Sequence, residues 1–439
     1  MSREVLAELD RLELVSRSGR VTRILPTFLE ADGPAAARGT ICEVETIGAR
    51  GAATALAEVV GVGPDAVVLA PFETDLRSFP GARVVAVGRS DQVAVGDAFL
   101  GRAVDAFGRP LDGDGPLERT QSSALGGLPT SPLERTSSAK SLDTGVRAID
   151  CLMPLAQGQR VGVFAASGVG KTSLMEQLAR QVSADRCVIC LVGERGREVE
   201  ALWSRGLSPE AKARTVLVAA TSDEAAAMRV RAAEYALALA DHWRRQGKHV
   251  LLLLDSVTRL AMALRELGLA AGEPPTVRAY TPGVFAAIPK LVERCGALKS
   301  GGAVSAIMTV LSETDDVDDP ISEMMKSLLD GHIVLSRKLA EQGHFPAIDV
   351  PKSISRLGSS LLDPQSRALA GRALSLLSTY EHSRTLIQTG VYTAGANIDI
   401  DEALAAHPRL VSFLRQAVDE RVERRTAMAS LAAAIGQAH

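Results

Sequence analysis

Five short apolar runs punctuate the middle of the chain, at 160–164, 187–192, 215–220, 250–255 and Ala303–Leu311. Runs of this kind, without polar alternation, predict strands buried on both faces. Between them lie longer stretches with helical spacing, such as the Ala- and Arg-rich 223–245, and this alternation predicts a mostly parallel sheet covered by helices on both sides. Upstream, from about 19 to 87, β-rich runs at 20–25, 41–44 and 66–70 are broken by Gly and Pro, the pattern of a small β-barrel. Past about 362 helical patterns take over, at 366–380, 400–406 and 410–435; mixed-sign charge over 415–425 predicts a solvated helix face in the last. Val5, Leu6, Leu9 and Leu12 share one stripe of a short N-terminal helix, which either packs on its own domain or docks a partner. The expected division is a helix and barrel over 1–92, an α/β domain over 93–362 and a helical domain over 363–439.

The first of the five runs carries the chemistry. After Phe164 come Ala165, Ala166, Ser167, Gly168, Val169, Gly170, Lys171, Thr172 and Ser173, then a helical pattern. A strand, a small-residue loop and a helix opening on Lys-Thr form a phosphate-binding P-loop, whose backbone N–H groups and helix N-terminus converge on an anion. Lys171 is placed to reach the terminal phosphates of a nucleoside triphosphate and Thr172 to ligate Mg²⁺. One departure stands out: the usual pattern opens with Gly, and here that position is Ala165. The run ending in Asp255 contains four consecutive leucines and puts a carboxylate at a strand's C-terminal end, where it either meets the Mg²⁺ water shell or caps the next helix. The run 187–192 leads into Gly193-Glu194-Arg195-Gly196-Arg197-Glu198. Glu194, also at the ligand-binding end of a strand, is the candidate base that polarises water.

These residues resemble a known family. The Ala-first P-loop, the Gly193 to Glu198 segment and Asp143-Thr144-Gly145-Val146-Arg147-Ala148-Ile149-Asp150 are similar to the flagellar and type III secretion export ATPases, relatives of the catalytic subunit of rotary ATP synthases. Further matches are Gly101 to Gly113, Arg278 to Phe285 and Leu329 to Arg337, so the resemblance covers about 20 to 415. It implies a RecA-like P-loop ATPase core with an N-terminal β-barrel and a C-terminal helical domain. It also implies ATP and Mg²⁺ as ligands, and a homohexamer that energises protein export, of flagellar components or through an injectisome. A catalytic subunit of a rotary proton-coupled ATPase is the alternative, against which Ala165 counts.

Residue by residue, the resemblance gives Lys171 and Thr172 to phosphate and Mg²⁺, Glu194 to the attacking water, and Asp255 to the metal shell. Arg356, which spacing alone would leave a surface arginine, matches the finger offered to a neighbouring subunit's γ-phosphate; Arg is suited to this by its permanent charge and planar fork. Phe345 matches the aromatic on adenine, Tyr392 is a second candidate for the base pocket, and Arg195 and Arg259 fall at active-site positions. The segment 272–289, with four prolines and two glycines, resembles the loop facing the ring's central pore. Implied partners are a second copy of the chain, a stator-like regulator at the N-terminal end, export-gate membrane proteins, a central stalk and chaperone–cargo complexes at the helical domain.

Composition narrows the alternatives. With 46% apolar and 23% charged residues in 439, the chain has the make-up of a globular protein of two or three domains. A net charge of −3 leaves no footprint for nucleic acid. No apolar run approaches membrane-spanning length, and the N-terminus does not read as a secretory signal, so a cytoplasmic protein is expected; the family resemblance implies that it associates peripherally with the inner membrane. Cys187 and Cys190 have CxxC spacing but no second pair, which predicts buried thiols rather than a metal site. The acidic stretch 313–319 lacks the Gly and terminal Glu of a calcium loop and reads as a solvated interface loop.

Overall fold

A computed structural model describes residues 17–436 except 49–50, 90, 129, 137–139 and 313–318. The N-terminal apolar stripe and most of the acidic stretch lie outside the described residues; Asp319 lies within them and caps a helix. Six strands form a closed barrel in the order β1-β2-β5-β4-β3-β6: β1 (Ser18–Ile24), β2 (Leu29–Ala31), β3 (Thr40–Gly48), β4 (Gly51–Val62), β5 (Val67–Pro71) and β6 (Arg83–Arg89). Inward positions alternate along each strand, so Cys42 and Val44 meet Ala57, Val59, Leu69 and Val84 in one small core. Closure leaves no free strand edge.

The second unit is built on a ten-stranded sheet. Its main path runs β14-β13-β8-β12-β11-β9-β10-β7, where β7 is Ala103–Val104, β8 Arg160–Ala165, β9 Arg186–Glu194, β10 Thr215–Thr221, β11 His249–Asp255, β12 Ala303–Leu311, β13 Gly331–Val334 and β14 Ile354–Ser355. Every neighbouring pair from β13 to β7 is parallel, and β14 adds an antiparallel edge. The apolar runs are now explained by their two faces. On β11, Leu251 and Leu253 enter one core, with Leu174 and Leu178 of helix α1 (Lys171–Gln181). Leu252 and Leu254 enter the other, with α2 (Ala226–Arg245), α3 (Val257–Ala270) and α4 (Pro282–Glu293). Each leucine so buried contributes about 1.5–3 kcal/mol, which is why no polar residue interrupts the strand. Cys187 and Cys190 fall in opposite cores, so their spacing cannot bring two sulfurs to one ion; burial pushes the Cys187 thiol up to about 11.

Helix α5 (Pro320–Leu328) leads into β13, and three helices follow the sheet: α6 (Pro364–Gln388), α7 (Ile398–Leu414) and α8 (Arg424–Ala434). Two expectations are corrected here. Helix α7 runs through Pro408 to Leu414 instead of ending at 406, because Ala403, Ala406, Leu410, Phe413 and Leu414 keep one face buried and outweigh the lost backbone bond. No helix spans 410–435. Residues 415–423 leave α7 and bind the core: Gln181 donates to the Val418 and Glu420 carbonyls, and Gln416 donates to Gly145 O at 2.7 Å. Arg415, Asp419, Arg421 and Glu423 remain exposed, so the charges are solvated as expected, but on an irregular connection held by its backbone and by the buried Gln416 rather than on a helix. A third correction concerns 272–289: 272–281 is a loop with a short 3-10 turn at Val277–Ala279, and α4 starts at Pro282, with Val284, Ile288 and Val292 forming its buried stripe. Proline at the first helical position donates no bond the helix needs.

Candidate active site

The P-loop leaves β8 at the C-terminal edge of the parallel strands, the side on which open α/β sheets bind ligands. Gly168 and Gly170 have φ of 79° and 93°, a region that L side chains rarely adopt, and Gly170 sits at the N-cap of α1. Ala165 is different. It still belongs to β8, pairs with Leu311 and keeps an ordinary φ, so nothing at that place demands glycine. Ser167, Thr172 and Ser173 are exposed around the loop, and Val169 is buried beneath it.

Three strands deliver charge to one point. Lys171 Nζ lies 2.6 Å from Asp255 Oδ1 at the end of β11 and 3.7 Å from Glu194 Oε1 at the end of β9. Asp255 Oδ1 also accepts a hydrogen bond from Thr309 Oγ1 at 2.6 Å. Glu194 departs from strict pairing with β10 because the register slips after Val192; Gly193, at φ 69°, makes the bulge that re-aims it. Arg259 of α3 packs over Gly193, donates to its carbonyl, and meets Glu194 through Nε at 3.2 Å and Nη2 at 3.3 Å. Both carboxylates are 5% exposed.

That setting perturbs Glu194. Burial, a hydrogen bond with the Glu198 carboxyl and the negative charge of Asp255 push its pKa up to about 7, against the opposing pull of Lys171 and Arg259. Beside it a cavity of about 20 Å³, lined by Thr172, Met175, Glu194, Glu198, Leu202 and Asp255 among others, is the size of one water molecule. Five of its nine lining residues are apolar; its polar groups are oxygen only, one hydroxyl and three carboxylates, the donor type that hard cations take. Among the described residues no His/Cys/Asp/Glu group closes a metal cage; a Mg²⁺ held through Thr172 and Asp255 would fill the rest of its shell with water and phosphate oxygens.

The remaining sequence candidates separate. The Phe345 ring is 43% exposed and lies against the loop, 3.5 Å from where a Cβ on Gly170 would sit. Arg195 is exposed at the N-cap of the short helix Gly196–Ala201. Tyr392 is held elsewhere, its hydroxyl donating to Asn397 O and Asp401 Oδ1, each at 2.9 Å, in the connection between α6 and α7. Arg356 follows the edge strand β14 and is exposed. Thr309 was missed; a lone hydroxyl near the end of the apolar β12 was the available signal.

The fold and site define a P-loop nucleoside-triphosphatase of the RecA-like, parallel-sheet class. Residues 145–355 match the model of the ATP synthase alpha/beta family, nucleotide-binding domain, and 362–433 match that of the T3SS EscN ATPase C-terminal domain. The flagellum-specific ATP synthase of Bacillus subtilis is 43% identical over 426 residues, covering 96% of this chain and 95% of that one. The SPI-2 type 3 secretion system ATPase of Salmonella typhimurium is 42% identical over 404 residues, 92% of each. Among solved structures, the assembled ATPase EscN of enteropathogenic E. coli superposes with a TM-score of 0.89 at 38% identity, over 95% of this chain and all of that one. A second structure holds EscN in complex with its central stalk EscO and superposes with a TM-score of 0.85 at 37% identity, over the same shares. The chain belongs to the family of flagellum-specific and type 3 secretion system ATPases, and it is an ATP hydrolase.

Proposed function

We propose that this ATPase works as a homohexameric ring that energises type III export of flagellar components, with each active site completed by the neighbouring copy. The observation that carries the ring is where Arg356 lies. Its backbone N–H donates to Asp330 O, and Asp330 N–H in turn donates to Arg160 O, so Arg356 stands level with the first residue of β8. The P-loop begins five residues further on, about 16 Å away at the rise of a strand. A subunit's own Arg356 is therefore badly placed to reach its own loop, while its exposed position on the sheet edge suits presentation to another copy. One heterologous interface repeated around a closed ring gives every P-loop such a partner.

In this reading Ser167 to Ser173 cradle the phosphates, with Lys171 leaving Asp255 for the terminal phosphate. Thr172 and Asp255 hold Mg²⁺, which would neutralise charge on the phosphate oxygens. Glu194 orients water in the adjoining cavity, Arg259 holds Glu194 in place, and Arg195 borders the phosphates. Phe345, beside the loop, packs on adenine in preference to Tyr392. The assembled EscN and its complex with the central stalk EscO support self-assembly and a stalk partner for this chain as well. A regulator at the N-terminal end, export-gate proteins and chaperone–cargo complexes complete the proposed set, at the cytoplasmic face of the inner membrane. No helix among the described residues is long and apolar enough to cross a membrane.

The flagellar assignment is supported by identities of 42–43% to four flagellum-specific relatives, against 41–42% to four type 3 secretion ATPases. An injectisome role is the second reading, favoured by the fold match to EscN. Deleting the gene separates them: loss of filaments and swimming is expected, whereas retained motility with lost secretion of virulence-type cargo would select the injectisome.

A pH profile tests Glu194. A base acts only when ionised, so a pKa raised to about 7 moves the acid limb upward, and kcat/KM should fall as the pH drops through that value. Nucleotide affinity measured over the same range isolates the chemical step. A limb in the ordinary carboxylate range would assign the base elsewhere.

A further inference from the structure

We propose that Gln159 is a positioning residue for Arg356, pinning the strand that presents the finger to the strand that ends in the P-loop. This rests on the reading of Arg356 as a finger acting in the neighbouring site. Gln159 immediately precedes β8 and is 3% exposed. Its carboxamide is fixed at both ends: Oε1 accepts from Ala156 N at 2.8 Å, while Nε2 donates to Asp330 O at 3.0 Å and to Ser355 Oγ at 3.1 Å. The same Asp330 carbonyl accepts the Arg356 N–H at 3.0 Å, and Ser355, the residue before the finger, donates its hydroxyl to Pro154 O at 2.8 Å. The Asp330 carboxylate is occupied separately, by Arg160 N and Nε at 3.0 Å and Nη2 at 3.2 Å. One buried amide thus joins the base of the finger, the start of β13 and the start of β8.

The finger's tip is held far more lightly than its base. Arg356 Nη2 donates to Lys326 O at 3.3 Å, near the C-terminal end of α5. That carbonyl is available because Asp330 N–H, which would close the next helical turn on it, goes to Arg160 O instead. A helix C-terminus attracts a cation weakly, so the guanidinium can leave it for a phosphate. The base cannot shift without stranding the buried groups that Gln159 satisfies. A fixed base and a releasable tip are what a residue needs if it must meet a phosphate on another subunit within a fraction of an ångström.

The test is steady-state ATPase of the assembled ring for Gln159→Met, which keeps the side chain's bulk but bonds to none of the three partners. We expect kcat to fall about 10- to 10²-fold. KM for ATP should stay within about twofold, because the binding loop is untouched. In single-turnover assays, where slow rates remain measurable, Gln159→Met/Arg356→Ala should be no slower than Arg356→Ala alone. Ser355→Ala removes one acceptor with little effect on packing, and it should show a severalfold fall in kcat that likewise vanishes in the Arg356→Ala background; it carries the test if Gln159→Met does not assemble. Losses that multiply in the double variants, or an unchanged kcat in both single ones, overturn the positioning role. Full activity in Arg356→Ala would instead overturn the finger reading itself, independently of Gln159.

Discussion

Lys171→Ala is expected to lower ATP hydrolysis by about 10²–10³-fold or more, the effect of removing a donor aimed at charge that develops in the transition state. In the structure the same ammonium is the counter-ion of two buried carboxylates, 2.6 Å from Asp255 and 3.7 Å from Glu194. Its removal leaves them facing each other, and breaking a buried ion pair by deleting one partner costs about 3–5 kcal/mol unless a proton is taken up. The variant should therefore melt at a lower temperature without nucleotide, with the loss shrinking as the pH falls and a carboxylate protonates. Phosphate release and thermal melts at two pH values check both effects. Normal turnover would remove Lys171 from the phosphate site.

Glu194→Gln should bind ATP and fail to hydrolyse it, with a loss of about 10²–10⁴-fold in kcat for removal of a general base. The amide has the shape of the carboxylate and retains an oxygen to accept from Arg259, so the site should stay assembled. It also removes one of two like charges flanking Lys171, so stability should hold or rise. Binding of a fluorescent ATP analogue alongside phosphate release separates the outcomes: loss of both would make Glu194 a structural residue. Arg259 is the group whose replacement should resemble Glu194→Gln most closely, since it touches that carboxylate and the Gly193 bulge together.

What could be read from sequence, and what could not, follows from how local the cause is. The leucines of β11 announce a strand because two cores, one on each face, take alternate residues. The P-loop is equally local, since a left-handed Gly170 and the start of α1 lie within a few residues of each other. Pro408 misled because local propensity favours a break while the buried stripe of α7, set by packing, favours continuation. The charges of 415–423 suggest a helix face, and only the folded chain shows that this stretch is an irregular connection tied down by Gln416 to Arg147 and Gly145 and by the Glu420 carbonyl to Gln181. Arg356 is the extreme case. Its place depends on the β13–β14 pairing and on a carbonyl at Asp330, so composition and spacing around it say nothing, and the family resemblance was needed to mark it. Gln159 and Thr309 carry the same lesson, as polar residues before or within an apolar strand whose side-chain partners lie 171 and 196 positions away for Gln159, apart from the local Ala156 bond, and 54 away for Thr309.

The central claim is that one subunit's P-loop works with another subunit's Arg356, and mixing two inactive proteins tests it most directly. Lys171→Ala subunits retain an intact Arg356, and Arg356→Ala subunits retain an intact P-loop. Co-assembled at equal concentration, random rings would contain both intact halves at about one interface in four. Activity well above either variant alone is the predicted result, with the mass of the mixed ring measured in parallel. Rings that co-assemble and remain as inactive as their parents would contradict the shared site.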